Sequence, residues 1–412
     1  MRKVFSKSVN KCQISNSRNL KSIIFLGYLP PVNTLRKKGS MLSEEIFFPA
    51  ELFFCEKSKL AQLGCIVDKK ILFPYSYPYT SSTTKILRDN FADLYKDTKK
   101  LVKIDKKDLI IDIGSNDGNL LTNFKHEHRV LGVTPEKIGK IAIKRGIPTI
   151  IDYFSDKVSS KIIKKYGKAK IITATNVFAH IDNLHKLIKS IIKTLRVDGV
   201  FISESHYLLP LIKQVQYDTI YHEHLRYYSL QSLDYLFKKY NFEIIDVKEI
   251  NTHGGSIRVY ASKRGIYKVS KNVKRQILKE KKFINFKNLK IFRDKVVKSK
   301  LNLFSIIKKI KEKGKTIYGV GAPSRASTLI NYLGLDKDII ECVLEIDGSY
   351  KIGNFIPGTL IPVVNESILK KKQPNYLILF SWHIKNELKK NLRKKGFRGK
   401  FIIPLPLPKI EN

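Results

Sequence analysis

A chain of 412 residues with 43% hydrophobic content exceeds what one ordinary core organises, and it carries apolar material for two or three modest ones. Its longest apolar stretches, such as 23–29, are far shorter than a membrane span, and four widely spaced cysteines make no disulfide framework; neither membrane insertion nor secretion is expected, and the cytoplasm is the expected compartment. The formal charge of +42 is spread along the chain without an RNA-binding aromatic signature or zinc-finger spacing, so it reads as a lysine-rich solvated surface that attracts a diphosphate-bearing substrate, with no nucleic-acid or membrane partner.

Residues 1–85 are rich in proline and aromatics and hold three of the four cysteines (Cys12, Cys55, Cys65). They show no strand–helix alternation and read as a small irregular N-terminal module. Short β-rich runs then alternate with helical patterns: Leu109–Ile113, Val130–Val133, Ile171–Thr175, Val200–Glu204, Phe242–Val247 and Ser256–Ala261. That alternation predicts a doubly wound α/β sheet over residues 86–265. Between Lys268 and Lys313, apolar residues recur at helical spacing (Ile277, Phe283, Phe286, Leu289, Phe292, Val296, Val297), which predicts helices leading outward. A second alternating set, Thr316–Val320, Ile339–Ile346, Tyr376–Phe380 and Phe401–Ile403, predicts a smaller α/β domain, so that residues 266–412 comprise linker helices and a Rossmann-like domain.

In the first of these sheets, Asp112-Ile-Gly-Ser-Asn-Asp-Gly118 follows an apolar strand and precedes a predicted helix at Asn119–Phe124. Glycines let a backbone turn tightly and approach a ligand, and strand ends of open α/β sheets bind nucleotides. Such a turn also suits a nicotinamide dinucleotide or a purely structural connection. Two carboxylates, however, disfavour a phosphate, and the cationic, phosphate-free S-adenosylmethionine suits the loop better. The cofactor candidates are Asp112, Gly114, Ser115, Asn116, Asp117 and Gly118. The next strand ends Gly132-Val-Thr-Pro-Glu136, with Thr134 where an acid normally holds ribose hydroxyls and Glu136 two residues late, so the two share that task or ribose is held weakly.

Tyr221-His222-Glu223-His224, with Tyr227 and Tyr228 beyond, precedes a helical segment near Ser229. A metal cluster, a self-satisfied loop and acid–base chemistry all use such residues. Adjacent ligands on one short loop rarely reach one ion, whereas a histidine titrates near neutral pH and a carboxylate can orient its ring. No metal site is expected here.

These residues resemble the bacterial sugar C-methyltransferases of antibiotic and polysaccharide pathways, over nearly the whole chain. The likeness rests on Tyr77-Pro-Tyr-Thr-Ser-Ser82, Asp112–Gly118, Asn176-Val-Phe-Ala-His-Ile181, Asp218-Thr-Ile-Tyr-His-Glu-His224, His253-Gly-Gly-Ser-Ile-Arg258, Gly319-Val-Gly-Ala-Pro323 and Lys351-Ile-Gly-Asn-Phe-Ile-Pro-Gly-Thr359, in that order. The resemblance implies a zinc-binding-type N-terminal module, a central class I methyltransferase domain and a C-terminal domain that helps hold a nucleotide-linked sugar. It implies His224 as the base that removes a proton α to a ketone and Glu223 as its supporting acid. Tyr221, His180 and Tyr79 would line the acceptor pocket, and Asn176 would face the cofactor. Tyr77 and His222 join the implied substrate contacts, and the implied acceptor is a nucleoside-diphosphate 4-keto-6-deoxysugar methylated at C3.

The chain departs from that pattern where the zinc module normally carries Cys-x-x-Cys pairs: it reads Cys12-Gln-Ile-Ser15 and Cys55-Glu-Lys-Ser58. Hydroxyls do not ionise near neutral pH and are poor zinc ligands, so no stable zinc is expected and the module should be held by an aromatic core. Elsewhere, His253 and Arg258 are candidates for the acceptor or its phosphates, or a turn and a structural ion pair; Arg325 and Lys351 are candidate diphosphate partners, or belong to a ligand-free dinucleotide-type fold. Trp382 reads as a core residue. An O- or N-methyltransferase of the same fold, and a non-catalytic basic nucleic-acid-binding protein, are the rival functions. The sequence leaves the oligomeric state open, a monomer included.

Overall fold

The computed structural model describes residues 5–40, 45–75 and 80–412, and of Thr83 the backbone only. Its centre is a seven-stranded sheet ordered Phe242–Ile250, Ser256–Lys263, Leu195–His206, Ala169–Thr175, Leu109–Ile113, Arg129–Val133, Thr149–Ile150. All neighbours run parallel except Ser256–Lys263, which is antiparallel to both of its partners. Its inner strands are buried on both faces, as parallel strands covered by helices must be, with every residue of Leu109–Ile113 and Ala169–Thr175 buried. The predicted strands are therefore present, several of them longer at one or both ends. The helix expected at 119–124 is only a 3₁₀ turn, Leu121–Asn123.

Ser270 and Asn285 cap the helices Lys271–Phe283 and Phe286–Lys311 through their side chains. The longer one buries Leu289, Phe292, Val296, Leu303, Ile307 and Ile310 along one stripe, whereas Phe283 and Val297 face solvent. A six-stranded sheet follows, ordered Val363–Asn365, Val343–Glu345, Ile317–Val320, Tyr376–Leu379, Lys400–Ile403, Lys409–Glu411, parallel up to its last, antiparallel strand. Of the expected run 339–346, only Val343–Glu345 forms a strand.

The N-terminal module corrects the sequence reading. It is not irregular: Lys21–Leu29, Phe48–Cys55 and Leu60–Leu63 form an antiparallel sheet, and Arg226–Tyr227 from the central region joins as its edge strand. Nor is its core chiefly aromatic, because Ile14, Ile23, Ile24, Leu26, Leu29, Leu52, Leu60 and Leu63 outnumber Phe54 inside it, while Phe25 and Tyr28 are exposed. A two-stranded pairing of Arg36–Lys37 with Asn354–Phe355 ties the module to the C-terminal part. Among the described residues no helix is long and apolar enough to cross a membrane.

Candidate active site

At the end of Leu109–Ile113, the loop turns beneath the segment 176–181. Gly114 has φ +73°, and a Cβ there would lie 2.2 Å from a methyl of Val177, so glycine alone admits the close approach. Asn176 also has positive φ (+56°) and donates its N–H to the Glu204 carbonyl at 2.7 Å. The two loop carboxylates are engaged within the protein. Asp112 accepts from the Thr173 hydroxyl at 2.6 Å, and burial still raises its carboxyl to about 7. Asp117 accepts from the Ser81 hydroxyl at 2.6 Å and from Arg145 at 3.0 Å; these partners outweigh burial and hold it below the usual carboxylate range. The Asn116 side-chain carbonyl accepts from the Ser81 N–H, and Gly118 packs against Ala142 and Ile147.

A nucleoside is left other atoms to meet. Ser115 Oγ and Asn176 Oδ1 are buried without a hydrogen-bond partner among the described residues, which in a folded interior marks a place for a ligand's polar groups. Thr134, wholly buried at the strand end, donates its hydroxyl to Glu136, whose side chain remains half-buried. A carboxylate therefore returns to the strand end although no acid occupies position 134. These residues fit S-adenosylmethionine.

Histidines gather beside this loop. The ring of His224 lies 4.2 Å from His206, 4.2 Å from Tyr221 and 5.2 Å from His180, centroid to centroid; His206 in turn lies 5.7 Å from His253, and Phe73 stacks on His180. Each ring comes from a different loop or strand end: His180 after Ala169–Thr175, His206 closing Leu195–His206, His253 in a turn with φ +56°, and His224 on the long connection after Leu208–Lys213. His224 Nδ1 stands 2.9 Å from the Thr219 carbonyl, to which Tyr227 also donates its hydroxyl at 2.8 Å. A carbonyl only accepts, so Nδ1 carries the proton and Nε2 the lone pair. Burial above all, with the neighbouring cationic forms, lowers the pKa of His224 and His206, and it brings His180 and His253 down to about 4. All four are neutral at pH 7. Burial likewise raises Tyr221, which keeps its proton. The arrangement is a neutral base of fixed tautomer beside a phenol donor, as removal of a carbon-bound proton requires.

Several expected contacts go elsewhere. Glu223 does not orient the His224 ring: the Thr219 carbonyl occupies Nδ1, and Glu223 accepts from Asn33 of the N-terminal module at 2.8 Å. His222 points away from the other histidines, with Nε2 3.2 Å from the Pro49 carbonyl and its ring against Phe48. Arg258 is fully buried and saturated by Glu204 (2.9 Å), Asp97 (3.0 Å) and Asn90 (2.8 Å), which makes it a brace between sheet and helix rather than a phosphate fork. Arg325 holds Asp218 through two bonds of 2.8 and 2.9 Å, and Lys351 donates to the Ala322 carbonyl at 2.5 Å, so both cations are already engaged. Tyr77 and Tyr79 lie outside the described residues.

The sequence reading gave no role to His206, nor to Asp218 and Thr219, which it noted only as part of a motif. His206 is the last residue of a central strand, the place where such sheets put functional groups, and that rule could have found it. Asp218, with no measurable exposure, also accepts from the Trp382 indole at 2.8 Å, so two side chains of the C-terminal part grip the connection that carries Tyr221 and His224. Nearby, a cavity of about 740 Å³ opens between the central and C-terminal parts, lined by Tyr207, Pro210, Gly254, Gly255, Trp382 and His383 among others. His180, His206 and His224 do not line it; it reaches the cluster's edge through the Gly254–Ser256 segment.

Three family models match the chain in succession: a zinc binding domain over residues 12–73, a methyltransferase domain over 86–247, and a C-methyltransferase C-terminal domain over 251–406. The chain is similar to the C-methyltransferase NovU of Streptomyces niveus, 27% identical over 412 residues that cover 98% of this chain and 97% of the relative. Among solved structures, a SAM-dependent methyltransferase from Anabaena variabilis matches 44% of this chain and 86% of its own at 18% identity and a TM-score of 0.35. Magnesium protoporphyrin IX methyltransferase from Synechocystis with bound SAH matches 42% and 82% at 13% identity and a TM-score of 0.34.

Proposed function

Since the chain is a SAM-dependent methyltransferase built from the consecutive domains of the C-methyltransferases, we propose that it methylates a carbon next to the ketone of a nucleotide-linked deoxysugar, at C3 of a 4-keto-6-deoxysugar. The observation that carries this reading is the tautomer of His224. A protein-held carbonyl at Nδ1 leaves Nε2 as a buried neutral base, which methyl transfer to a hydroxyl or amine demands far less than transfer to a C–H. His224 takes the α-proton, the electron pair moves into the ketone oxygen, and Tyr221, kept protonated by burial, donates to that developing oxyanion. His206, His180 and His253, all neutral, surround the base without adding positive charge that would weaken it. When bound, S-adenosylmethionine supplies an electrophilic methyl on a cationic sulfur. Ser115, Asn176, Thr134 and Glu136 would hold its nucleoside, a role supported by the atoms of the first two that lack a partner among the described residues and by the hydrogen bond between the last two. The 740 Å³ cavity is the volume available to the nucleotide portion of the acceptor.

The test is mass spectrometry of nucleoside-diphosphate 4-keto-6-deoxysugars incubated with the enzyme, run with the cofactor and, separately, in D₂O without it. The expected results are one acid-stable added methyl and α-deuterium exchange without methyl donor, both reduced by about 10²–10⁴-fold in His224→Gln while SAH binding persists. An acid-labile methyl with no exchange would instead assign the chemistry to oxygen or nitrogen. Absence of any SAM or SAH binding would overturn the reading altogether.

A further inference from the structure

Two Cys-x-x-Ser knuckles stand where the zinc-type module would place its metal ligands. They face each other in crossed pairs: Cys12 Sγ lies 3.1 Å from Ser58 Oγ, and Cys55 Sγ lies 3.4 Å from Ser15 Oγ. The Ser15 N–H also reaches Cys12 Sγ at 3.4 Å. Four side chains therefore converge with the connectivity of a four-ligand site, but the donor set does not fit the ion. Structural zinc takes four thiolates or imidazoles, and a serine hydroxyl stays protonated near neutral pH and binds too weakly to replace one. The third cysteine of the module does not help, since Cys65 packs in a separate apolar cluster with Phe48, Val67 and Leu72. Among the described residues no group of three or more His, Cys, Asp or Glu could hold a metal.

The work of a metal is divided among hydrogen bonds. Within the module, Gln62 accepts from the Gln13 N–H at 2.8 Å and donates to the Lys11 carbonyl at 3.0 Å, which fixes the first knuckle. From the central part, Lys239 donates to the Ile14 carbonyl at 2.7 Å and Ser229 to the Lys59 carbonyl at 2.9 Å, so each knuckle is pinned from outside. The module's Leu60–Leu63 strand then pairs with Arg226–Tyr227, two residues past His224.

We propose that this chain has exchanged the structural zinc of its N-terminal module for a thiol–hydroxyl quartet of Cys12, Ser15, Cys55 and Ser58, and that it folds and supports its active site free of metal. The proposal is independent of what the acceptor is.

It is tested on the 412-residue chain expressed with added zinc, by elemental analysis and by thermal melting with and without a strong chelator. The wild type should hold less than about 0.1 zinc per chain and melt within about 1 °C of the same temperature in chelator. About one tightly held zinc per chain, or a chelator-induced loss of the melting transition, would overturn the proposal. The double variant Ser15→Cys/Ser58→Cys probes the geometry: it should take up about one zinc per chain and become chelator-sensitive. A folded double variant that binds no zinc would show that the four positions do not converge as described. Should that variant fail to fold, the wild-type metal content decides by itself.

Discussion

The two open α/β sheets of this chain end their first strands in similar turns, and the two turns are put to different uses. In the central sheet, the loop 112–118 turns its carboxylates inward, onto Thr173, Ser81 and Arg145, and leaves buried polar atoms of Ser115 and of the neighbouring Asn176 without a partner among the described residues. In the C-terminal sheet, the turn 319–325 supplies its own occupants. Glu345 accepts from the Ala322 N–H at 2.6 Å where an anion would sit, Lys351 covers the Ala322 carbonyl, and Arg325 is closed by Asp218. The first loop leaves room for the proposed ligand, and the second clamps the segment that carries His224, the proposed base. A strand–glycine–helix motif thus becomes a binding site only when the surrounding side chains leave its polar groups unsatisfied.

The contrast makes its largest demand on Asp218. Asp218→Asn removes the charge that Arg325 and the Trp382 indole share, so we expect turnover to fall by about 10²-fold through misplacement of His224, with SAH affinity unchanged. Breaking this buried pair should also cost about 3–5 kcal/mol in urea unfolding. Wild-type turnover in that variant would reduce the clamp to ordinary packing. On the open side, Glu136→Gln should weaken SAH about tenfold in calorimetry, and Thr134→Val less, because in the proposed site the carboxylate would accept from a ribose and the threonine would only aim it. An unchanged dissociation constant in both would remove Glu136 from the nucleoside site.

Acid provides a third test. Burial holds His180, His222 and His253 at about 4 against an ordinary 6.5. The unfolded chain therefore takes up their protons first. Stability from these groups is intact above pH 6.5, is lost as pH falls from 6.5 toward 4, and levels off below. For fully buried His222 the loss is at most about 3 kcal/mol, and His222→Gln should flatten the urea midpoint over that interval by a corresponding part. The smallest effect belongs to Lys351. A lysine on a diphosphate costs roughly tenfold in affinity when removed, whereas Lys351→Met should change nucleoside-diphosphate binding by less than about twofold, since its ammonium already serves Ala322.

What could be read along the chain was whatever depends on local pattern. Alternating β-rich and helical runs gave both α/β sheets, the turn Asp112–Gly118 marked the strand-end loop now proposed for the nucleoside, and Tyr221–His224 held the proposed base within four residues. The N-terminal sheet was hidden because one of its strands, Arg226–Tyr227, is contributed from more than 160 residues away. His206 and Thr219 were hidden for a related reason: a histidine at a strand end and a backbone carbonyl have no local signature, and they matter only once His224 is packed between them.

The sequence by itself determined the order of elements, the residue types available for acid–base chemistry, and the loss of two thiols at Ser15 and Ser58. Tertiary structure alone decided which charges were free to act. Arg258, Arg325, Lys351 and Glu223 all look available in a string of letters, and all four are engaged by partners 29 to 190 positions distant. Whether a buried polar group is a structural brace or a ligand contact depends on what satisfies it across the fold, and hydrogen bonds of such sequence separation are set by packing, which periodicity and spacing do not encode.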